Sequence, residues 1–264
     1  MGRQIIRTKN FAADAADFIL DEAHKALGER NEFRIALSGG NTPVPIYTRL
    51  AVIGHDLPWE LTRITFGDER CVPPDDRQSN FRMAWETLLD PAGVPEKSII
   101  RMRGEIDPQV ATQEYQDQLD LMATQRGEPI YRHDLILLGL GDDGHTASLF
   151  PGTVALDETI RRVVANFVPK LDAWRLTFTF PLINHARHVC FLVGAAKNAD
   201  LIERVLKGDP QFPASRVNPS AGDVIWMIGS GLPDTVQHSN ALSTLRPRHR
   251  AAVPRDRPLR RRGA

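Results

Sequence analysis

The residues best able to do chemistry lie in one run: Leu138-Gly139-Leu140-Gly141-Asp142-Asp143-Gly144-His145-Thr146-Ala147-Ser148-Leu149-Phe150-Pro151. An imidazole changes charge near neutral pH, so it can take a proton and return it. A carboxylate beside it can fix the tautomer and stabilise the imidazolium. We therefore read His145 as a general base, presented at a helix start, with Asp143 or Asp142 behind it. The plainer alternative is a capping turn with an incidental histidine. Gly139, Gly141 and Gly144 also fit GxGxxG after an apolar strand, a pattern that can cradle a dinucleotide. Two aspartates before the third glycine would repel a pyrophosphate, and that fingerprint ordinarily opens its domain. The dinucleotide reading is set aside.

Two further motifs suit an anion. In Ser38-Gly39-Gly40-Asn41-Thr42-Pro43 the glycines let the backbone approach a ligand, and the amides of a following helix would face it. The same residues also suit an ordinary strand-to-helix turn, and the P-loop spacing is missing. Asp68-Glu69-Arg70 is followed by Asp75, Ser79 and Asn80. A guanidinium at Arg70 can pair with a phosphate. The two acids either hold it in place or form a surface ion cluster with it. Lys197, opening a helix, and Arg216, in Phe212-Pro213-Ala214-Ser215-Arg216-Val217, can each add a cation; the ordinary reading of each is a solvated side chain. His185 and His188 are three apart but lack a neighbouring carboxylate, and no HExxH or GxSxG occurs. Neither a metal, a cofactor nor a serine triad is expected.

These groups need elements to position them. Residues 11–27, 43–53, 79–89, 108–125 and 195–206 carry helical spacing. Residues 34–37, 62–66, 134–138, 176–180, 188–193 and 224–228 read as short apolar strands. Such alternation predicts an α/β fold: a mostly parallel, Rossmann-like open sheet with helices on both faces. The three polar motifs follow strands 34–37, 62–66 and 134–138, at the edge where such sheets bind ligands. One composite site is expected there.

Of 264 residues, 42% are hydrophobic and 25% charged, as in an ordinary globular chain. The net charge of zero hides an asymmetry. Residues 246–264 hold eight arginines against one aspartate, or +7, and the rest holds 25 basic against 32 acidic residues, or −7. We expect a single domain over 1–245 and a basic, disordered tail over 246–264. A nucleic-acid or membrane-surface arm is the competing reading of that tail; the core itself shows no feature for either partner. No apolar run approaches the ~20 residues of a membrane span, and no secretory signal opens the chain, so a cytoplasmic protein is expected. Cys71 and Cys190 are read as free thiols.

SGGNTP, GDER with VPPDDRQSN, GLGDDGHTASLFP, RLTFTFPLIN, VGAAK and FPASRV stand in the order and spacing of the 6-phosphogluconolactonase family, which the chain resembles over roughly residues 10–228. The resemblance implies a fold shared with glucosamine-6-phosphate deaminases and ribose-5-phosphate isomerases. It implies hydrolysis of 6-phospho-D-glucono-1,5-lactone, a phosphorylated sugar lactone, in the oxidative pentose phosphate pathway. A monomer or homodimer is expected. His145 matches the family's proposed base. The SGGNTP loop (Ser38, Gly39, Gly40, Asn41 and Thr42), Arg70 and Lys197 match positions attributed to substrate and phosphate binding; Asp68 and Arg216 are further candidates for substrate contact. A sugar-phosphate isomerase or deaminase of the same fold is the alternative. Deaminases typically carry a tyrosine at Arg70, and their glutamate that pairs with the histidine falls on Phe150. The chain departs from the family after residue 228, where Gly229-Ser230-Gly231-Leu232-Pro233 replaces a helical close.

Overall fold

The computed structural model describes residues 2–195 and 197–230. The tail at 246–264, and the end of the domain expected over 1–245, lie outside the described residues.

Six parallel strands form the central sheet in the order β1-β9-β8-β5-β2-β3. They are β1 (Arg3–Thr8), β2 (Phe33–Leu37), β3 (Thr62–Phe66), β5 (Leu135–Gly139), β8 (His188–Val193) and β9 (Asp223–Gly229). Their side chains alternate between two apolar layers, as a period of two requires. Leu135, Leu137, Cys190, Leu192, Ile225 and Met227 face one layer. Ile136, Leu138, Val189, Phe191, Val224 and Trp226 face the other. Buried on both faces, such strands read as continuous apolar runs.

Helices α1 (Phe11–Arg30), α2 (Val44–Ile53) and α3 (Asn80–Ala84) cover the first layer. The second is covered by α4 (Pro108–Thr124), α5 (Phe180–Ile183) and α6 (Ala199–Leu206). Asn198 caps α6, its side chain accepting from the Asp200 amide at 2.8 Å, so this helix starts four residues later than its spacing suggests.

The sequence reading placed all its strands in one sheet, and here the structure corrects it. A second sheet, β4-β7-β6, contains β4 (Asp68–Arg70), β6 (Val163–Val168) and β7 (Ala173–Phe178). β6 and β7 are joined by a turn too short for a parallel crossover, so they pair antiparallel. β4 leaves β3 through Gly67 and pairs antiparallel with β7, setting Arg70 opposite Arg175. β1 is an edge strand of mixed polarity, which gave no strand signal. Among the described residues no helix is long and apolar enough to cross a membrane.

One buried group makes this scaffold sensitive to acid. His133, fully buried before β5, meets the Thr65 hydroxyl through Nε2 at 2.9 Å. Thr65 donates its own proton to the Ile35 carbonyl, so it accepts from His133. His133 Nδ1 is then an unpartnered lone pair. Burial, with Arg34 and His185 nearby, pushes the imidazole down to about 3. The unfolded chain takes up that proton near its ordinary value of about 6.5. The stability tied to a neutral His133 is therefore full above that value and declines as pH falls towards 3, at up to about 1.4 kcal/mol per pH unit. We expect the urea midpoint to drop between pH 7 and pH 5, and His133→Gln to flatten that drop. An unchanged pH dependence in the variant would refute the assignment.

Candidate active site

The carboxyl ends of β2, β5 and β8 open onto one cleft of about 400 Å³. This is where an open parallel sheet receives a ligand. The Ser38–Gly40 turn, Thr42, Asp68, Arg70 and His145 all line it. Leu37 accepts a hydrogen bond from the Gly67 amide at 3.0 Å, drawing the β2 and β3 exits together. Gly39 packs on Asn80 so closely that a Cβ would fall 1.8 Å from its Oδ1. Gly40 takes φ +86°, which favours glycine. Asn41 is exposed and is not among the residues lining the cleft.

The acids around Arg70 act differently from either sequence reading. Buried Glu69 accepts from the amides of Arg70, Asn80 and Phe81 at 2.7–2.8 Å and from the Ser79 hydroxyl at 3.1 Å. It anchors the start of α3 and makes no ion pair with Arg70. Its burial pushes the carboxyl above the ordinary range, against those hydrogen bonds. Asp68 accepts from Ser148 Oγ at 2.6 Å and Asn80 Nδ2 at 3.1 Å, tying the histidine loop to β4 and α3.

Arg70 is left facing Arg175, a residue the sequence reading missed. Both line the cleft, and among the described residues neither makes an ion pair. Arg70 Nε is buried without a partner. Burial and the neighbouring Arg70 charge lower the Arg175 pKa. Like charges directly opposite on paired strands are destabilising. Two guanidiniums in one cleft, neither held in an ion pair, are suited to an anion. In sequence, Arg175 stood just before the apolar strand read at 176–180, so only the β4–β7 pairing reveals it.

His145 Nδ1 lies 2.5 Å from Asp143 Oδ1, whose carboxylate also accepts the His145 amide at 3.2 Å. Burial works to raise the Asp143 pKa, but Lys170 and His145 outweigh it and hold the carboxyl down to about 2. An ionised carboxylate only accepts, so Nδ1 carries a proton, and in the neutral imidazole the lone pair is on Nε2. Asp143, not Asp142, orients the ring. Asp142 is almost fully exposed and pairs with Lys197 at 2.6 Å. Lys197 therefore stands at the rim and is not among the residues lining the cleft. The imidazole stacks on Phe150, with centroids 4.0 Å apart.

Two expectations need correction. No helix follows His145: Thr146 Oγ1 donates to the Gly139 carbonyl, Ser148 is pinned to Thr177 and Asp68, and Ala147 adopts φ +46°. Those bonds hold the segment as a tight loop. Arg216 is not in the cleft. Its guanidinium lies 4.4 Å from the Phe180 ring centroid and donates to the Leu156 carbonyl at 2.8 Å, so its capacity is used in packing. Among the described residues no three His, Cys, Asp or Glu side chains gather as metal ligands.

The sequence pattern of the family described as Glucosamine-6-phosphate isomerases/6-phosphogluconolactonase matches residues 7–226. The chain belongs to this family. A 6-phosphogluconolactonase of Synechocystis sp. is 44% identical over 208 residues, 77% of this chain and 85% of the relative. Another, from Treponema pallidum, is 36% identical and covers 72% of this chain and 79% of its own. Among solved structures, the Thermotoga maritima 6-phosphogluconolactonase superposes with a TM-score of 0.76 at 26% identity, covering 86% of this chain and all of its own. The Trypanosoma brucei enzyme gives 0.73 at 27% identity, covering 86% and 95%.

The glycines of the family's histidine loop make room for side chains here. A Cβ on Gly141 would lie 2.0 Å from His145 Nδ1, and one on Gly144 would lie 2.3 Å from Phe212. We expect Gly141→Ala to displace the imidazole and lower kcat by about 10²-fold, with the melting temperature nearly held. Steady-state rates beside a thermal melt check this; a fully active variant would show that the ring's seat does not matter.

Proposed function

We propose that this enzyme hydrolyses 6-phospho-D-glucono-1,5-lactone to 6-phospho-D-gluconate, the lactone-opening step of the oxidative pentose phosphate pathway, with His145 as general base. One observation carries the reading: a single cleft holds an imidazole with a free Nε2 and two guanidiniums that no ion pair engages among the described residues. The names and similarity of the relatives support the same substrate.

The phosphate dianion sits against the Ser38–Gly40 turn, Arg70 and Arg175 through charge-assisted hydrogen bonds. Lys197 adds a third cation only by leaving Asp142. Binding this remote group orients the lactone carbonyl. His145 Nε2 takes a proton from water as its oxygen bonds to C1. The imidazolium then protonates the departing ring oxygen as the C1–O bond breaks. Water is thereby added across the ester, and the imidazole returns to neutral. The Gly141 and Gly144 amides already donate to the His145 and Gly141 carbonyls. Neither of these two amides is therefore free to hold the oxyanion.

A ring-opening deaminase is the other reading of this fold. The position where such enzymes place a glutamate holds Phe150, stacked on the imidazole. An apolar ring there cannot relay protons to an amine.

Fresh lactone, followed by acid release, and glucosamine 6-phosphate, followed by ammonia release, separate the two. We expect turnover of the lactone alone. His145→Ala should lose about 10²–10⁴-fold in kcat. Arg175→Leu should raise KM about ten- to a hundredfold by removing a charged hydrogen bond, without lowering the melting temperature. Wild-type lactone opening at the uncatalysed rate would overturn the proposal.

A further inference from the structure

Asp143 spends both carboxylate oxygens. Oδ1 takes His145, and Oδ2 takes the Lys170 ammonium. Lys170 belongs to the turn Pro169–Leu171 between β6 and β7 and lines the cleft. Its Nζ stands 5.1 Å from the Phe150 ring centroid, on the ring against which His145 stacks. Imidazole, carboxylate, ammonium and phenyl ring therefore form one closed cluster. The sequence between Val168 and Arg175 gave no sign of it, because Lys170 lies 25 residues after His145 in a different sheet.

A cation fixed to the far oxygen draws on the charge that would otherwise favour the imidazolium. It also holds the carboxylate in one orientation. We propose that Lys170 is a positioning residue: through Asp143 it seats the His145 ring and limits how far the carboxylate favours the imidazolium. The inference rests on the reading of His145 as the base. The charged groups around the imidazole are Asp143 and Asp142 on its own loop, Lys197 after β8 and paired with Asp142, Lys170 on the β6–β7 turn, Arg175 on β7, and Asp68 and Arg70 on β4. Of these, only Lys170 is a cation bound to the carboxylate that holds the ring.

Removing the ammonium should raise the His145 pKa, since Asp143 then serves the imidazolium alone. The acid limb of the kcat/KM profile requires a deprotonated base and should move to higher pH by about half a unit to one unit in Lys170→Met. Lys170→Arg keeps the charge and should return the limb towards wild type. In parallel, the His145 ring is titrated by NMR in the full chain, its signal assigned by its loss in His145→Gln. A raised titration midpoint in Lys170→Met, restored in Lys170→Arg, supports the proposal. An unchanged midpoint overturns it, whatever happens to kcat. A midpoint that moves while the rate profile stays fixed keeps Lys170 in its role and instead refutes His145 as the base.

Discussion

Two guanidiniums stand opposite each other in one cleft, and among the described residues neither is held in an ion pair. Arg70 and Arg175 reach that position because β4 and β7 pair antiparallel. The acids next to Arg70 in sequence serve other partners, the start of α3 and the Ser148 hydroxyl. A pair of this kind opposes folding modestly and favours an anion between its members. The affinity for an anion is thus a property of the scaffold, and the proposed function uses it for the phosphate.

At that other end the structure fixes a ring. The His145 loop cannot wind into a helix, because its polar groups are committed to β4, β5 and β7. Gly141 gives the imidazole a flat floor, Phe150 covers a face, and Asp143 grips Nδ1. Each of these removes a freedom that the side chain would otherwise lose on meeting substrate. The glycines of GLGDDG match a dinucleotide fingerprint by spacing, yet their role is steric: they admit His145 and Phe212 where a Cβ would collide.

Asp143 and Asp142 show how little separates two adjacent acids in sequence and how much separates them in space. One is partly buried between an imidazole and an ammonium; the other is exposed and holds a lysine at the rim. Arg216 and Lys197 illustrate the same limit. Both are cations beside chain segments that pack near the cleft, but one is spent on an aromatic ring and a carbonyl, and the other on Asp142.

The sequence by itself determined the parallel sheet, its two covering layers and the three loops that meet at its carboxyl edge. Those features follow from local periodicity: apolar runs of strand length, helical spacing between them, and polar punctuation after each strand. It also singled out His145, because an imidazole among glycines and aspartates has few structural uses. The tertiary structure alone decided which aspartate holds the ring, which cations enter the cleft, and that Arg175 and Lys170 belong to the site at all. The places of Arg175 and Lys170 depend on the antiparallel sheet, in which β4 pairs with β7 about a hundred residues along the chain. Pairing of that range leaves no local pattern, since a strand's own residues do not say which partner it will meet.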